Sequence, residues 1–514
     1  MKPSILVQTL GVVGLGCEAA VLKGYGDQFQ HVLDGVSHLL DKQHEKGHKK
    51  PVDSEHLQEL LSQKALKNRA EKLYEIAKLS EEGYGHPTRV IGSPGHNATI
   101  EYIIESLGEF GGNYYDVWKQ EFEAVSGSVN HSEVSVDGDK IDAQPMSLTP
   151  GTPKGKPVSA QLELARDKGC EKGDYKNLKG KFALVVRGEC AFGDKSNAAG
   201  EAGVLGLFIY NNEDGDVHGT LGEPKKHHVP TFGLSKKNGE DLKDHISGRQ
   251  AVANVTLDAK VETIKTYNVL AETKDGDKDN VVMLGGHSDS VEEGPGINDD
   301  GSGTNSLLEV AKALTEFKVK NAVRFAWWAA EEEGLLGSNH YANTLSKEEN
   351  HRIRLFMDYD MMASPNFAYQ VYDANNKDNP EGSEELRNLY VDFYEDNDVN
   401  YTFIPFDGRS DYVGFITNDI PGGGIATGAE GLKTADEVKK FGGIANVQYD
   451  PCYHQLCDNL DNLAYDAWLM NTRLIGHSVA TYAKSLKHFP KRSELKTDAI
   501  QKPTFKYRGH YLAY

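Results

Sequence analysis

Positive charge is what this 514-residue chain is short of: 56 lysines and arginines stand against 77 aspartates and glutamates, a formal net charge of −21. Nucleic acids and anionic membranes are held by clustered Lys and Arg, and the basic runs here, Lys49-Lys50 and Lys225-Lys226, are too short for either. Long apolar runs are missing too. Beyond the N-terminus no segment approaches the roughly 20 residues that span a bilayer, so no membrane anchor is expected. Cysteine is scarce, at five residues. The apolar content is ordinary, and the length predicts about two or three domains.

The N-terminus reads as a secretory signal peptide over 1–19. Lys2 supplies the positive start, Ile5 to Leu15 the apolar core, and Cys17 and Ala19 the small residues before cleavage. Cys17 would leave with it. The remaining Cys170, Cys190, Cys452 and Cys457 group as two local pairs, although sequence alone leaves three connectivities open, and an oxidising lumen favours disulfides. Asn97, Asn130, Asn254 and Asn400 each stand in an Asn-X-Ser/Thr glycosylation sequon. Residues 20–54 are polar and His-rich (His31, His38, His44, His48) and are expected to form a pro-segment; no metal-ligand spacing recurs among them.

Further along, the texture changes twice. From Ser54 to about Ser80 the apolar residues fall at helical intervals, and Ala98 to Leu107 reads as a second helix after the turn-rich HPTRVIGSPGHN. Residues 55–129 are assigned to the N-terminal part of the main domain. Between 130 and 265 short β-type runs are broken by Gly and Pro, with strands expected over Lys181–Arg187 and Val204–Tyr210 and a helix over Asp194–Ala202. From 266 to 487 the pattern alternates. Apolar runs at Val281–Leu284, Ala322–Ala330 and Leu355–Asp360 read as buried strands, and Leu307–Phe317 as an amphipathic helix. Such alternation predicts a largely parallel sheet covered on both faces, with ligands collecting at the carboxyl ends of the strands. Residues 488–514 form a Lys/Arg-rich tail.

Chemistry concentrates at those strand ends. GGHSDSVEEGPGINDDGSG (Gly285–Gly303) places His287 and Asp299 twelve residues apart among glycines. Glu331 and Glu332 follow the FAWWAA run, Asp360 stands in MDYDMMASPN, and His454 in PCYHQLC. Imidazole and carboxylate donors in this mixture suit zinc, and one glutamate remains for proton transfer.

These motifs, with GRSDY at 408–412, resemble the dinuclear-zinc aminopeptidases in content and order, over about residues 55–510. The phrase GKFALVVRGECAFGDKSNAAGEAGVLGLFIYN at 180–211 resembles the protease-associated domain, a module inserted beside peptidase domains. The resemblance implies an α/β zinc-peptidase domain with a mixed, largely parallel sheet under helices on both faces, plus the β-rich insertion. It implies two Zn²⁺: His287 and Asp360 on one, Glu332 and His454 on the other, with Asp299 bridging. Glu331 would be the general base, with Glu333 a further candidate in the same run, and Tyr453 the phenol that donates to the developing oxyanion. Asp289 would hold the His287 imidazole. A Cys452–Cys457 bridge would stiffen the loop bearing Tyr453 and His454. Arg409, Ser410 and Asp411 match a loop lining the substrate site, with a structural salt bridge as an equal reading.

The expected activity is removal of N-terminal amino acids from peptides with a free amine, in the vacuole lumen or outside the cell. Two other readings stay open. A carboxypeptidase-like relative would need basic groups for a free carboxylate, and the ligand-bearing segments show no Arg cluster. A non-catalytic receptor of the same fold would be expected to have lost ligands, and none is missing.

Overall fold

The computed structural model describes residues 49–492, apart from 213, 214, 216, 218, 223 and 407. The expected signal peptide, nearly all of the pro-segment with its four histidines, and the tail past 492 lie outside the described residues. The chain divides into two units, Met1–Pro51 and Val52–Tyr514. Only residues 49–51 of the first are described. Among the described residues no helix is long and apolar enough to cross a membrane.

The larger unit opens with helices α1 (Ser54–Glu59) and α2 (Gln63–Ala77). The apolar periodicity runs through both, but the chain turns at 60–62, where the Ser62 side chain accepts from Ala65 N at 3.3 Å and starts a new helix. Helix α3 (Pro94–Gly111) begins on the Ser93 cap, before the expected Ala98. Strand β1 (Tyr115–Val136) leads into the smaller module, which holds β2 (Val158–Leu164), β3 (Phe182–Val186), α4 (Phe192–Glu201), β4 (Gly206–Tyr210), β5 (Thr231–Leu234) and α5 (Lys236–Ile246). Strands β2 to β5 run parallel to one another, and the Cys170–Cys190 disulfide is formed. The chain leaves by β6 (Ala251–Thr273), antiparallel to β1 from Tyr115 opposite Thr273 to Val136 opposite Ala253, with Asn130 in a bulge. The expected limits at 130 and 265 thus fall inside two continuous strands. The compositional change marks a change of surroundings along one ladder, not a break in the chain.

The main remaining elements are β7 (Asp277–His287), α6 (Gly301–Leu314), β8 (Asn321–Trp328), α7 (Leu336–Thr344), β9 (Ile353–Tyr359), β10 (Gln370–Tyr372), α8 (Ser383–Asp396), β11 (Thr402–Ile404), α9 (Tyr412–Ile416), β12 (Gly422–Ala426) and α10 (Tyr465–Lys484). Their sheet runs β11-β10-β12-β9-β7-β8-β6. Strands β12, β9, β7 and β8 are mutually parallel, and the joints of β8 with β6 and of β12 with β10 are antiparallel. Side chains alternate across the sheet. Val282, Leu284, Met357 and Trp327 pack with Leu73, Ile103, Leu307 and Trp468 from α2, α3, α6 and α10. Val281, Met283, Phe356 and Trp328 pack with Tyr341, Tyr412 and Phe415 from α7 and α9. Both faces are buried, which is why these strands read as unbroken apolar runs. Helix α6 starts at Gly301 rather than Leu307, because Asp300 caps it and its first turn is buried on every side. With no polar face there is no amphipathic period to mark where it begins.

Candidate metal centre

Strand register brings together the first candidate ligands. Gly285 on β7 lies opposite Asp358 on β9, and His287 opposite Trp328 on β8. Three neighbouring parallel strands therefore end together, with His287 closing β7, Asp360 following β9, and Glu331 and Glu332 just past β8. The backbones must crowd to do this. A Cβ on Gly286 would stand 2.6 Å from Asp300 Oδ2 and 2.7 Å from the Tyr359 carbonyl, and one on Gly303 would collide with the same two residues.

Asp299 occupies the middle. Its Oδ1 lies 3.1 Å from His287 Nε2 and its Oδ2 lies 3.1 Å from His454 Nε2. Glu332 Oε2 is also 3.1 Å from His454 Nε2, and Asp360 Oδ1 is 3.7 Å from His287 Nε2. One carboxylate thus offers an oxygen to each of two imidazoles, and each imidazole has a second carboxylate beside it. Glu331 Oε2 is 3.9 Å from His287 Nε2, and both side chains are fully buried. The most solvent-accessible members of the cluster are His454, 15% exposed, and Asp360, 7% exposed. His454 has a left-handed backbone (φ 57°) and stacks on Tyr453 at 3.9 Å between ring centroids, within the loop closed by the Cys452–Cys457 disulfide.

The electrostatics are those of a buried anionic cage. Burial by itself depresses both imidazoles, but Glu331, Asp289, Asp299 and Asp360 outweigh it at His287, and Glu332 and Asp299 outweigh it at His454, so both are raised well above the ordinary value. Behind the ligands, burial raises Asp411 and Asp358, the latter to about 8, and neighbouring carboxylates push the same way. A low-dielectric pocket concentrates this much negative charge at large cost unless a cation joins it. Glu332 Oε1 is buried with no hydrogen-bond donor among the described residues. All the donor atoms are nitrogen or oxygen, so the residues fit zinc. His287, Asp300 and Asp360 also converge closely enough to hold an ion. Asp300, however, already accepts from His287 N at 3.1 Å, Gly303 N at 2.8 Å and Met361 N at 3.1 Å. It is the helix cap, and Asp299 is the better donor.

Two sets of contacts have no sequence signature: those of Asp289 with the glutamate backbone and those of Arg89. Asp289 faces His287 Nδ1 at 3.7 Å, and it also accepts from the backbone N of Glu331 and of Glu332 at 3.3 Å each, so it places the glutamate pair as well as the imidazole. Arg89, from the HPTRVIGSPGHN segment, is fully buried and donates to the carbonyls of Pro295 at 2.8 Å, Gly296 at 2.5 Å and Ser288. It holds the loop that links His287 to Asp299. In the GRSDY segment Ser410 Oγ reaches Asp360 Oδ2 at 3.4 Å, while Arg409 pairs with Glu430 at 2.9 Å. Glu333 sits behind the pair, raised well above the usual carboxylate range by burial and by Asp289.

Comparison with known proteins gives the family. Residues 268–479 match the model of peptidase family M28, and 156–242 that of the PA domain. Over 488 residues the chain is 52% identical to aminopeptidase Y of Saccharomyces cerevisiae, covering 90% of this chain and 87% of that protein. The chain belongs to peptidase family M28. Another relative is leucine aminopeptidase 2 of Trichophyton tonsurans, 45% identical over 432 residues, covering 83% of this chain and 86% of that one. Among solved structures, the aminopeptidase from Aneurinibacillus sp. strain AM-1 superposes with a TM-score of 0.69 at 26% identity, covering 86% of this M28 chain and 98% of that one. A zinc aminopeptidase from Bacillus subtilis shares the fold, with a TM-score of 0.61 at 24% identity over 87% of this chain and 98% of its own.

Proposed function

We propose that this M28 peptidase is a zinc-dependent aminopeptidase that binds two zinc ions and removes N-terminal residues from peptides. The observation that carries the reading is Asp299, with its two oxygens at 3.1 Å from two different histidines. In this reading His287 and Asp360 hold one ion, Glu332 and His454 the other, and Asp299 belongs to both. When bound, zinc supplies Lewis acidity and makes water acidic enough to lose a proton near neutral pH. Glu331, held by its backbone bond to Asp289, accepts that proton and returns it to the leaving amine. Tyr453, packed on His454, donates its phenol to the oxyanion as charge develops there. Asp289 keeps the His287 imidazole in one tautomer. The surrounding carboxylates favour a positively charged free amine, which restricts cleavage to the first residue.

The compartment belongs to the same proposal: the secretory pathway, ending in the vacuole lumen or outside the cell. Both disulfides suit an oxidising lumen, and all four sequon asparagines are exposed. The test of activity is release of amino acid from leucine and lysine chromogenic amides and from their N-acetylated forms, with and without a chelator. Cleavage of free-amine substrates alone, lost on chelation and restored by zinc, is the expected result. No cleavage by protein that carries two metals per chain would end the aminopeptidase reading in favour of a carboxypeptidase-like relative.

A further inference from the structure

We infer that Asp458 is a positioning residue of the metal centre, fixing the distance between the segment that carries Asp299 and the loop that carries His454. The inference rests on the two-zinc reading above.

Asp458 is 1% exposed and directly follows Cys457. Its Oδ1 accepts from Asn298 N at 2.9 Å, its Oδ2 accepts from Asp299 N at 3.0 Å, and its own carbonyl accepts from Ile297 N at 3.1 Å. Three consecutive residues thus hang on one. The partner segment is about 160 residues away in sequence and ends on the residue whose carboxylate joins the two halves of the cage. On its other side Asp458 is oriented by Asn462, whose Nδ2 donates to Asp458 Oδ1 at 3.0 Å and to the two oxygens of Asp450 at 2.9 and 3.0 Å. Asp450 accepts in turn from Asn298 Nδ2 at 2.6 Å. The turn bearing Tyr453 and His454 is therefore clamped at both ends, by Asp450 before it and Asp458 after it, onto the Asn298–Asp299 segment.

Burying a carboxylate this deeply is costly unless its acceptors are filled, and here they are filled by the amides beside the shared ligand. Both carboxylate oxygens are taken by consecutive main-chain amides at 2.9 and 3.0 Å, so the clamp is stiff. A shift of Asp299 against His454 would open the 3.1 Å approach on which the shared geometry depends.

The experiment is a calorimetric zinc titration of the metal-stripped full chain, wild type beside Asp458→Asn, with kcat and KM measured at saturating zinc. Asparagine keeps the shape but turns an NH₂ toward one of the two amide N–H groups. The expected result is two zinc-binding steps in both proteins. The step assigned to Glu332 and His454 weakens roughly 10–100-fold in the variant, the range seen when residues supporting metal ligands are removed. Its kcat falls while KM holds. Unchanged affinities in Asp458→Asn, whatever its thermal stability, would overturn the inference and leave the two-zinc reading standing. A wild-type chain that takes up fewer than two zinc ions would overturn both. Should Asp458→Asn fail to fold, Asn462→Ala decides: it keeps both amide bonds and removes the donor that orients Asp458 and Asp450 together. A smaller loss confined to the same step is expected there, and no change would overturn the inference.

Discussion

Replacing Glu331 with glutamine separates proton transfer from metal binding. The Glu331 side chain is fully buried with Oε2 3.9 Å from His287 Nε2, and its backbone N is held by Asp289 at 3.3 Å. The main chain sets its place, so glutamine inherits the position and loses the basicity. A well-placed acid–base group contributes ~10²–10⁴-fold to rate, or roughly 3–5 kcal/mol of barrier. Glu331→Gln should therefore lower kcat by that factor, leave KM nearly unchanged, and keep the zinc content of the wild type. It also removes the largest of the carboxylate influences that raise His287, so the zinc-free variant should hold that proton less tightly. The assay is release of leucine from a leucine anilide across substrate concentrations, with zinc counted by elemental analysis. Loss of one zinc would show that Glu331 is a ligand and that the assignment of the glutamate run is displaced. A fall well short of ~10²-fold with zinc intact would place the base elsewhere.

Three further outcomes are expected. Tyr453→Phe should lower kcat by ~10²–10³-fold with zinc content unchanged, as when an oxyanion donor is lost; an unaltered kcat would remove that role. In zinc-free protein the raised His287 and His454 add stability that is complete below about pH 6.5 and disappears as pH climbs through their raised folded values. Zinc needs both rings neutral and gains affinity over the same interval, so the difference in unfolding temperature between zinc and chelator should widen from about pH 6 to 8; a constant difference would refute this. His96 is fully buried against Ser288 Oγ at 3.1 Å and lowered by burial to about 4. The unfolded chain takes up that proton at higher pH than the folded one, so stability is lost as pH falls from about 6.5 toward 4, by up to ~1.4 kcal/mol per unit. Chemical denaturation of His96→Gln across that range should show a shallower acid slope, and an equal slope would rule the residue out.

Much of the candidate site was legible because zinc chemistry restricts residue type and strands restrict position. Once GGH, EEE and DYD were placed after apolar runs, a parallel sheet put them at a common edge. The fold class followed from the same runs, since only strands buried on both faces lack alternation. Element limits were less legible. Helix α6 hides its start because Gly301, Ser302 and Gly303 are buried like its later turns, and the ladder of β1 and β6 passes between two surroundings without a turn to mark the crossing.

By itself, then, the sequence determined which groups are candidates for the chemistry, that they stand at the ends of a largely parallel sheet, and that the cysteines lie near enough along the chain to pair locally. The family resemblance pointed to Asp299, and tertiary structure gives the reason that it, and not the adjacent Asp300, faces both histidines: the Asp300 oxygens are already taken by three backbone amides. Tertiary structure alone decided that Asp289 also holds the backbone of two glutamates, that Arg89 ties down the loop between His287 and Asp299, and that Asp458 bonds to the amides of Asn298 and Asp299. Residue type and local spacing carry the first kind of information. The second depends on hydrogen bonds between segments far apart in the chain, whose partners are backbone groups that every residue possesses and no sequence pattern marks.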